Sequence, residues 1–409
     1  MSKSAERQRL AIEGGVPVRA APLPSWPYYA SDEIEAVDRV LRSGKVNYWT
    51  GEECRRFERE YADATGTKYA VALMNGTVAL EAAVRGLGIG SGDEVVVPSR
   101  TFIASASAVA MCGATPVMAD VDPHSQNITA ETIATVLTDR TRAVVVVHLA
   151  GWPCEMDPIL ELARQHKLYV IEDCAQAHGA TYKGSPVGSF GHAAAFSFCQ
   201  DKIITTGGEG GMLTTNSHEL WGKAWSFKDH GKEWAKAIKK DPDSGFHWLH
   251  DSIGTNWRMT EMQAVIGLAQ LRKLAGWVES RRRNAAILIA ALRDVSALRL
   301  TEPPAYLSHA YYRCYAFVRP KLLQRGWSRD RIVAAIRAEG IPCYSGTCGE
   351  IYLEKAFAQS ESRPIQRLRS AQELAETSVA FLTHPTLAPR DMENAAEAIR
   401  KVMTVAMTG

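Results

Sequence analysis

Between residues 68 and 215 short apolar runs alternate with stretches of helical period. The runs are YAVALM (69–74), DEVVVP (93–98), TPVMAD (115–120), RAVVVVHL (142–149), LYVIED (168–173), AAAFSF (193–198) and GMLTT (211–215), apolar or β-branched almost throughout. Strands buried on both faces read this way, and the intervening segments, including helices expected over 78–87, 101–112 and 156–166, are long enough for crossovers. The pattern therefore predicts an α/β fold, a mainly parallel seven-stranded sheet flanked by helices. Upstream, residues up to 29 are polar and proline-punctuated and read as an extended arm. Ser31 is the expected N-cap of a helix, with Asp32 and Glu33 in its first turn and Ile34, Val37 and Leu41 on its apolar face. A full capping box on Ser31 is not available, because three residues on stands Ile34. A second helix is expected over 55–65, with Phe57 and Tyr61 four apart.

After about Gly254 the strand rhythm stops. Segments 260–271 and 278–292 read as two helices, and the run Arg281-Arg282-Arg283 on the second as a solvated face. A strand over 309–318 and helices over 330–339 and 392–403 complete a smaller C-terminal α+β part. The expected organisation is an arm (1–30), a large domain (31–270) and a small domain (271–409).

At 409 residues the chain exceeds one ordinary core. Lys and Arg number 47 against 45 Asp and Glu, a balance that gives no reason to expect a nucleic-acid partner. The eight cysteines form no CxxC and mostly lie in apolar segments, as in reduced cytoplasmic proteins. The start has no apolar signal-like run and the most apolar stretch, 101–119, is broken by Ser, Gly and Pro, so neither a signal peptide nor a membrane span is expected. The dinucleotide fingerprint GxGxxG, the P-loop and HExxH are absent.

The chemistry gathers around residues 190–211, FGHAAAFSFCQDKIITTGGEGG, where an apolar run opens into a glycine-rich loop carrying one lysine, Lys202. Glycines of this density let backbone approach backbone or ligand closely, so Lys202 is either a candidate for carbonyl chemistry or an ordinary solvated amine, a choice that rests on its neighbours. In a doubly wound sheet, ligands bind at the carboxyl ends of the strands. YAVALM runs into Asn75-Gly76-Thr77 and a helix, either an ordinary capped turn or a cradle for an anion such as phosphate. Asp173 ends LYVIED, and a desolvated carboxylate there needs a partner such as a protonated ring nitrogen, unless it merely caps a helix. Gln176 could present its amide to a ring hydroxyl. Phe102, just after VVPSR, is either a stacking surface or a core aromatic. A phosphate cradle, an acid for a pyridinium, a flat ring and an amine (Ser197 and Lys202 arriving on one loop) are the parts of a pyridoxal phosphate site. The histidines have no metal-ligand spacing and no metal is expected; His178 reads as a supporting residue behind the site and His148, His230 and His309 as structural.

The strings NGTVAL, DEVVVPSRTF, VIEDCAQAHGA, AFSFCQDKIITTGGEGGM and GTNWRMTEMQA resemble the DegT/StrS-type sugar aminotransferases, whose fold is that of aspartate aminotransferase (fold-type I). The likeness runs in order from about Pro24 to Ala269, more weakly to the C-terminus. It implies pyridoxal 5'-phosphate, alternating with pyridoxamine 5'-phosphate, as cofactor. It also implies Lys202 as the lysine that carries the cofactor, Asp173 as partner of the pyridine nitrogen, Gln176 beside the ring hydroxyl and Phe102 as the stacking ring. Gly76, Thr77, Val78 and Ser197 match cofactor-binding positions, the first two and Ser197 at the phosphate, and Asn256 matches a residue lent across a homodimer interface to the partner's cofactor phosphate. The family departs from this sequence at Cys199-Gln200-Asp201, where an aromatic or His is common, which bears on the substrate. The implied activity is amino transfer from glutamate or glutamine to a keto sugar, nucleotide-linked, or to a keto-cyclitol, in a cytoplasmic homodimer with shared sites and no nucleic-acid or membrane partner. Two alternatives stand beside it: a related sugar dehydratase, against which Lys202 argues because those relatives usually carry His there, and a regulatory protein of the same fold that binds cofactor without turnover.

Overall fold

The computed structural model describes residues 9–238, 248–360 and 362–407. All seven expected strands form: β1 (Tyr69–Leu73), β2 (Glu94–Pro98), β3 (Thr115–Ala119), β4 (Thr141–Val147), β5 (Tyr169–Asp173), β6 (Ala193–Ser197) and β7 (Gly211–Thr215). They lie in the order β1-β7-β6-β5-β4-β2-β3. Only β7 is antiparallel to its neighbours, and the other pairs are parallel. Strands β2, β6 and β7 are buried along their whole length, because helices cover both faces. The carboxyl ends of β1, β2, β4, β5 and β6 consequently share one edge of the sheet.

Helices α1 (Ser31–Ser43), α2 (Glu53–Thr65), α3 (Gly76–Gly86), α4 (Ala104–Met111), α5 (Met156–His166) and α6 (His218–Lys228) precede or cross over this sheet. Further on, a four-stranded antiparallel sheet, β8 (Leu298–Leu300), β9 (Cys314–Val318), β10 (Cys343–Tyr344) and β11 (Ser378–Phe381), has the order β8-β9-β11-β10. A separate apolar cluster joins it to the long helices on either side of it in the chain, through residues such as Leu288, Ile399 and Val402, and to the helix Arg329–Ala338 through Ile336. Three two-residue strands make a third, small sheet. All eight cysteines are free, five of them buried. Among the described residues no helix is long and apolar enough to cross a membrane.

Several expectations are corrected. Segments 260–271 and 278–292 are one 32-residue helix, α7 (Glu261–Leu292). It starts in a capping box between Thr260 and Gln263 and runs through Gly276, whose interior-helix cost of about 1 kcal/mol is overcome by packing at both ends of the rod. On α7 the arginine run is not a solvated face: Arg281 is fully buried, Arg282 donates to the His309 carbonyl at 2.9 Å, and only Arg283 is exposed. Helix α1 begins at Ser31 itself; its N-cap is Ala30, whose N–H is accepted by the Glu33 carboxylate at 2.9 Å. Ile34 and Leu41 are exposed, and Ala36 and Val40 face Val265 of α7 instead. The ion pairs of Lys273 with Asp32 and Glu33, both at 2.7 Å, hold that rotation.

The strand expected over 309–318 is confined to Cys314–Val318, because Ala310 and Tyr312 donate their N–H groups to the Gly151 and Ala150 carbonyls at 2.9 and 2.8 Å. Lys228, at the end of α6, is wholly buried, its ammonium 3.6 Å from the Tyr48 ring centroid.

Two glycines of α7 test its packing with opposite signs. A Cβ on Gly267 would stand 2.5 Å from Phe57 Cζ, whereas one on Gly276 meets nothing within 4 Å. Gly267→Ala is expected to lower stability by about 1–3 kcal/mol and Gly276→Ala to raise it by about 0.5–1 kcal/mol, read from urea unfolding midpoints. A neutral Gly267→Ala would show that α7 does not press on α2 there.

Candidate active site

The first wall is the turn from β1 into α3. Asn75 caps α3, its side-chain oxygen accepting the Val78 N–H at 3.0 Å. The preceding N–H groups, of Gly76 and Thr77, come before the first intrahelical bond and are the positive end of the helix. A Cβ on Gly76 would lie 2.7 Å from Ser197 Cβ, and one on Gly211 would lie 2.2 Å from the Asn75 carbonyl oxygen. Only glycine at both places lets the helix start press against the ends of β6 and β7. Gly76, Thr77, Val78 and Ser197 are thereby brought together.

The second wall is the end of β5. Asp173 is buried, and its carboxylate accepts from the Ser105 hydroxyl at 2.7 Å and the Ala175 N–H at 3.1 Å. Ser105, on α4, is held in turn by Thr101 at 2.9 Å. Burial pushes the Asp173 carboxyl up from its usual range, while those donors and the positive charge of Lys202 pull it back. A carboxylate so placed suits one further cationic donor, such as a protonated ring nitrogen. Phe102, next to Thr101, is 63 % exposed, so its ring face is not spent in the core. Gln176 is half-buried, its oxygen accepting the Ala150 N–H at 2.7 Å. Ala150 sits at φ 57°, and the Ala150–Tyr312 hydrogen bond ties this turn to the segment before β9.

Lys202 occupies the third wall, the loop after β6. It is half-buried; its N–H donates to the Cys199 carbonyl at 3.0 Å and its own carbonyl accepts the Trp26 indole N–H at 2.9 Å. Its ammonium lies 5.0 Å from the Tyr312 ring centroid. Below the loop, His178 bridges Tyr61 at 2.8 Å and the Ser197 carbonyl at 2.9 Å. Burial pushes His178 down to about 3, so the ring is neutral: Nε2 donates to Ser197 and Nδ1 accepts from Tyr61.

Asn256 is exposed, but its segment also joins its own sheet: Met74 donates to the Trp257 carbonyl at 3.0 Å, continuing from the end of β1. His148, Glu172 and Cys174 have potential ligand atoms within 4.8 Å of one another. The capacity of the first two is already engaged: Glu172 accepts the N–H groups of Gly188, Phe190 and Gly191 and pairs with His148 at 3.0 Å, and His148 Nδ1 accepts the Cys154 N–H. The cluster is a buried polar network on the far side of β5 from Asp173.

Sequence reasoning missed Ser105, Trp26 and the pair Tyr312 and Arg313. Ser105 stands one helical turn after Thr101, a spacing that could have placed it; Trp26, 176 residues from Lys202, carried no signal.

The residues fit a pyridoxal phosphate cradle, and known proteins bear on what it serves. The model of the DegT/DnrJ/EryC1/StrS aminotransferase family matches residues 27–400. The GDP-perosamine synthase of Caulobacter vibrioides is 44% identical over 287 residues, 70% of this chain and 73% of that protein. An L-glutamine:2-deoxy-scyllo-inosose aminotransferase of Streptoalloteichus tenebrarius is 34% identical over 360 residues, 87% of this chain and 84% of that one. Among solved structures, an aminotransferase from Psychrobacter cryohalolentis superposes with a TM-score of 0.91 at 54% identity, covering 94% of this chain and 99% of that chain. The sheet order, the lysine loop after β6 and this likeness along nearly the whole length lead to one conclusion: the chain belongs to the DegT/DnrJ/EryC1/StrS aminotransferase family.

Proposed function

We propose that this aminotransferase uses pyridoxal 5'-phosphate to move an amino group from glutamate or glutamine to the keto group of a nucleotide-linked sugar. The observation that carries the reading is the convergence of Lys202, the buried Asp173 and the Gly76–Ser197 contact at one edge of the sheet. The 44% identity to a GDP-perosamine synthase supports the nucleotide sugar. A keto-cyclitol is the second reading, supported by the inosose aminotransferase that matches over 87% of this chain.

Bound pyridoxal phosphate supplies an electrophilic carbonyl and an electron-accepting ring. The Gly76 and Thr77 N–H groups and the Ser197 hydroxyl hold its phosphate, with Val78 behind them, and Phe102 stacks on its ring. Gln176 donates its amide to the ring hydroxyl. Asp173, oriented by Ser105, keeps a proton on the ring nitrogen. Lys202 Nζ is the covalent anchor and, when free, the base that takes a proton from the donor's α-carbon and returns it. Neutral His178 holds the Ser197 carbonyl and so the start of the lysine loop. These residues lie within 31–270, the proposed large domain, with the arm and residues 271–409 closing the site. Asn256 is assigned to the cofactor phosphate of the partner subunit in a homodimer.

Lys202→Ala is expected to lose the cofactor's visible absorbance band and all amino transfer while its melting temperature stays near wild type. Borohydride treatment of the wild type should leave the cofactor's mass on the Lys202 peptide; attachment to another lysine would sink the assignment. Asp173→Asn should still bind cofactor but lose more than about tenfold in kcat, a barrier increase above roughly 1.4 kcal/mol; a smaller loss speaks against the ring-nitrogen role. Sharing of sites is tested by mixing Asn256→Asp with Lys202→Ala chains under verified subunit exchange. If Asn256 serves the partner's site, one site of each heterodimer is intact, and an equal mixture recovers roughly a quarter of wild-type activity. If Asn256 serves its own chain's site, recovery does not exceed the sum of the two mutants.

A further inference from the structure

Asp201 and Lys202 are neighbours in sequence, and two cations, Lys202 and Arg313, gather on one aromatic ring, Tyr312, with a third, Arg281, behind it over the Trp26 ring. The Asp201 carboxylate, 46% exposed, uses a single oxygen, Oδ2, to accept the Tyr312 hydroxyl and, at 3.2 Å, Arg313 Nη2. The Arg313 guanidinium lies 4.3 Å and Lys202 Nζ 5.0 Å from the Tyr312 ring centroid. Behind the ring, Arg281 and Arg313 converge on the Tyr312 carbonyl oxygen at 3.5 and 3.1 Å. Arg281 is fully buried, and its Nε and Nη2 find no hydrogen-bond partner among the described residues. Burial and the neighbouring Arg313 pull its pKa down to about 9, which leaves it charged at neutral pH. A desolvated guanidinium is costly without a compensating anion. The other acid near Lys202, Asp173, is committed to Ser105 and Ala175.

We propose that the place held by the Asp201 carboxylate, between Arg313 and the Tyr312 hydroxyl, is the receptor for the α-carboxylate of the amino donor, and that Asp201 is an internal stand-in which the donor displaces. The inference rests on the aminotransferase reading above. In any amino-acid donor the α-carboxylate is bonded to the carbon that bears the reacting amine, so its receptor must lie close to Lys202. The structure has a carboxylate seated at such a place, on a guanidinium and a phenol hydroxyl that are themselves largely buried. An ion pair as exposed as Asp201's is weak, so an incoming carboxylate competes with it readily and the released side chain returns to water. Arg281 is then a positioning residue, adding positive charge behind Tyr312.

The two partners of this pair should answer mutation with opposite signs. Glutarate, a dicarboxylate without an amine, is titrated calorimetrically into the pyridoxal phosphate-loaded enzyme, with inorganic pyrophosphate in parallel to represent the nucleotide-sugar's charge. Asp201→Asn is expected to bind glutarate more tightly than wild type, and Arg313→Gln roughly tenfold or more weakly, the loss that follows removal of a charge-assisted pair. Should Arg313→Gln not fold, Arg313→Lys, which keeps the charge and loses the planar fork, is expected to weaken glutarate by a smaller factor. Glutarate affinity unchanged in the arginine variants, unchanged or weakened in Asp201→Asn, or a response confined to pyrophosphate overturns the proposal. A wild-type enzyme with neither the cofactor's visible band nor turnover sinks the aminotransferase reading instead; one with both, but indifferent to these substitutions, sinks only the stand-in.

Discussion

A carboxylate buried at the end of a strand is the constraint on which the rest of the site depends. Asp173 has left water at the inner end of β5, and burial alone favours its neutral form. Two hydrogen bonds, from Ser105 and Ala175, and the positive field of Lys202 partly restore the charge. Each requires a particular arrangement: Ser105 needs α4 to begin just after Phe102, and the field needs the glycine-rich loop to bring Lys202 back over the sheet. Small residues at Gly76 and Gly211 then allow the helix start beside β6 to close the other side. The same burial that makes the acid costly in isolation makes it effective toward a cationic ring.

The strands and the convergence at their carboxyl ends were legible in the sequence because a strand covered on both faces leaves an unbroken apolar run. Phe102 and Asp173 follow from the same logic, since each stands where such a run ends. What was not legible depended on partners distant in the chain. Ile34 and Leu41 have helical spacing, yet Lys273, some 240 residues away, fixes the rotation of α1 through Asp32. Three consecutive arginines look solvated, but α7 points successive side chains about 100° apart, so one of them, Arg281, must turn inward. Segments 260–271 and 278–292 read as two helices because sequence periodicity does not include the packing that holds α7 together on either side of Gly276. Trp257 and Arg258 pair with the end of β1, a contact that no local pattern announces.

Charge is distributed unevenly between the two walls of the site. On the β5 side a lone acid is surrounded by donors. On the β9 side Arg281 and Arg313 outnumber Asp201, and Tyr312 lies between them and Lys202. Such a split suits a reaction whose first substrate carries a carboxylate on the carbon being deprotonated, while the ring that accepts the electrons needs its nitrogen kept cationic.

The unbroken rod of α7 has an evolutionary consequence. At its first turn Glu261 accepts the Glu53 and Cys54 N–H groups and so caps α2; twenty residues on, Arg281 faces Tyr312. In a continuous helix those two duties are locked in phase, about 1.5 Å of rise and 100° of rotation per residue. Substitutions between them leave the phase intact, but gaining or losing a single residue would swing Arg281 off the site while Glu261 stayed in place. The span from 261 to 281 should therefore keep its length among descendants of this chain even where its exposed positions change.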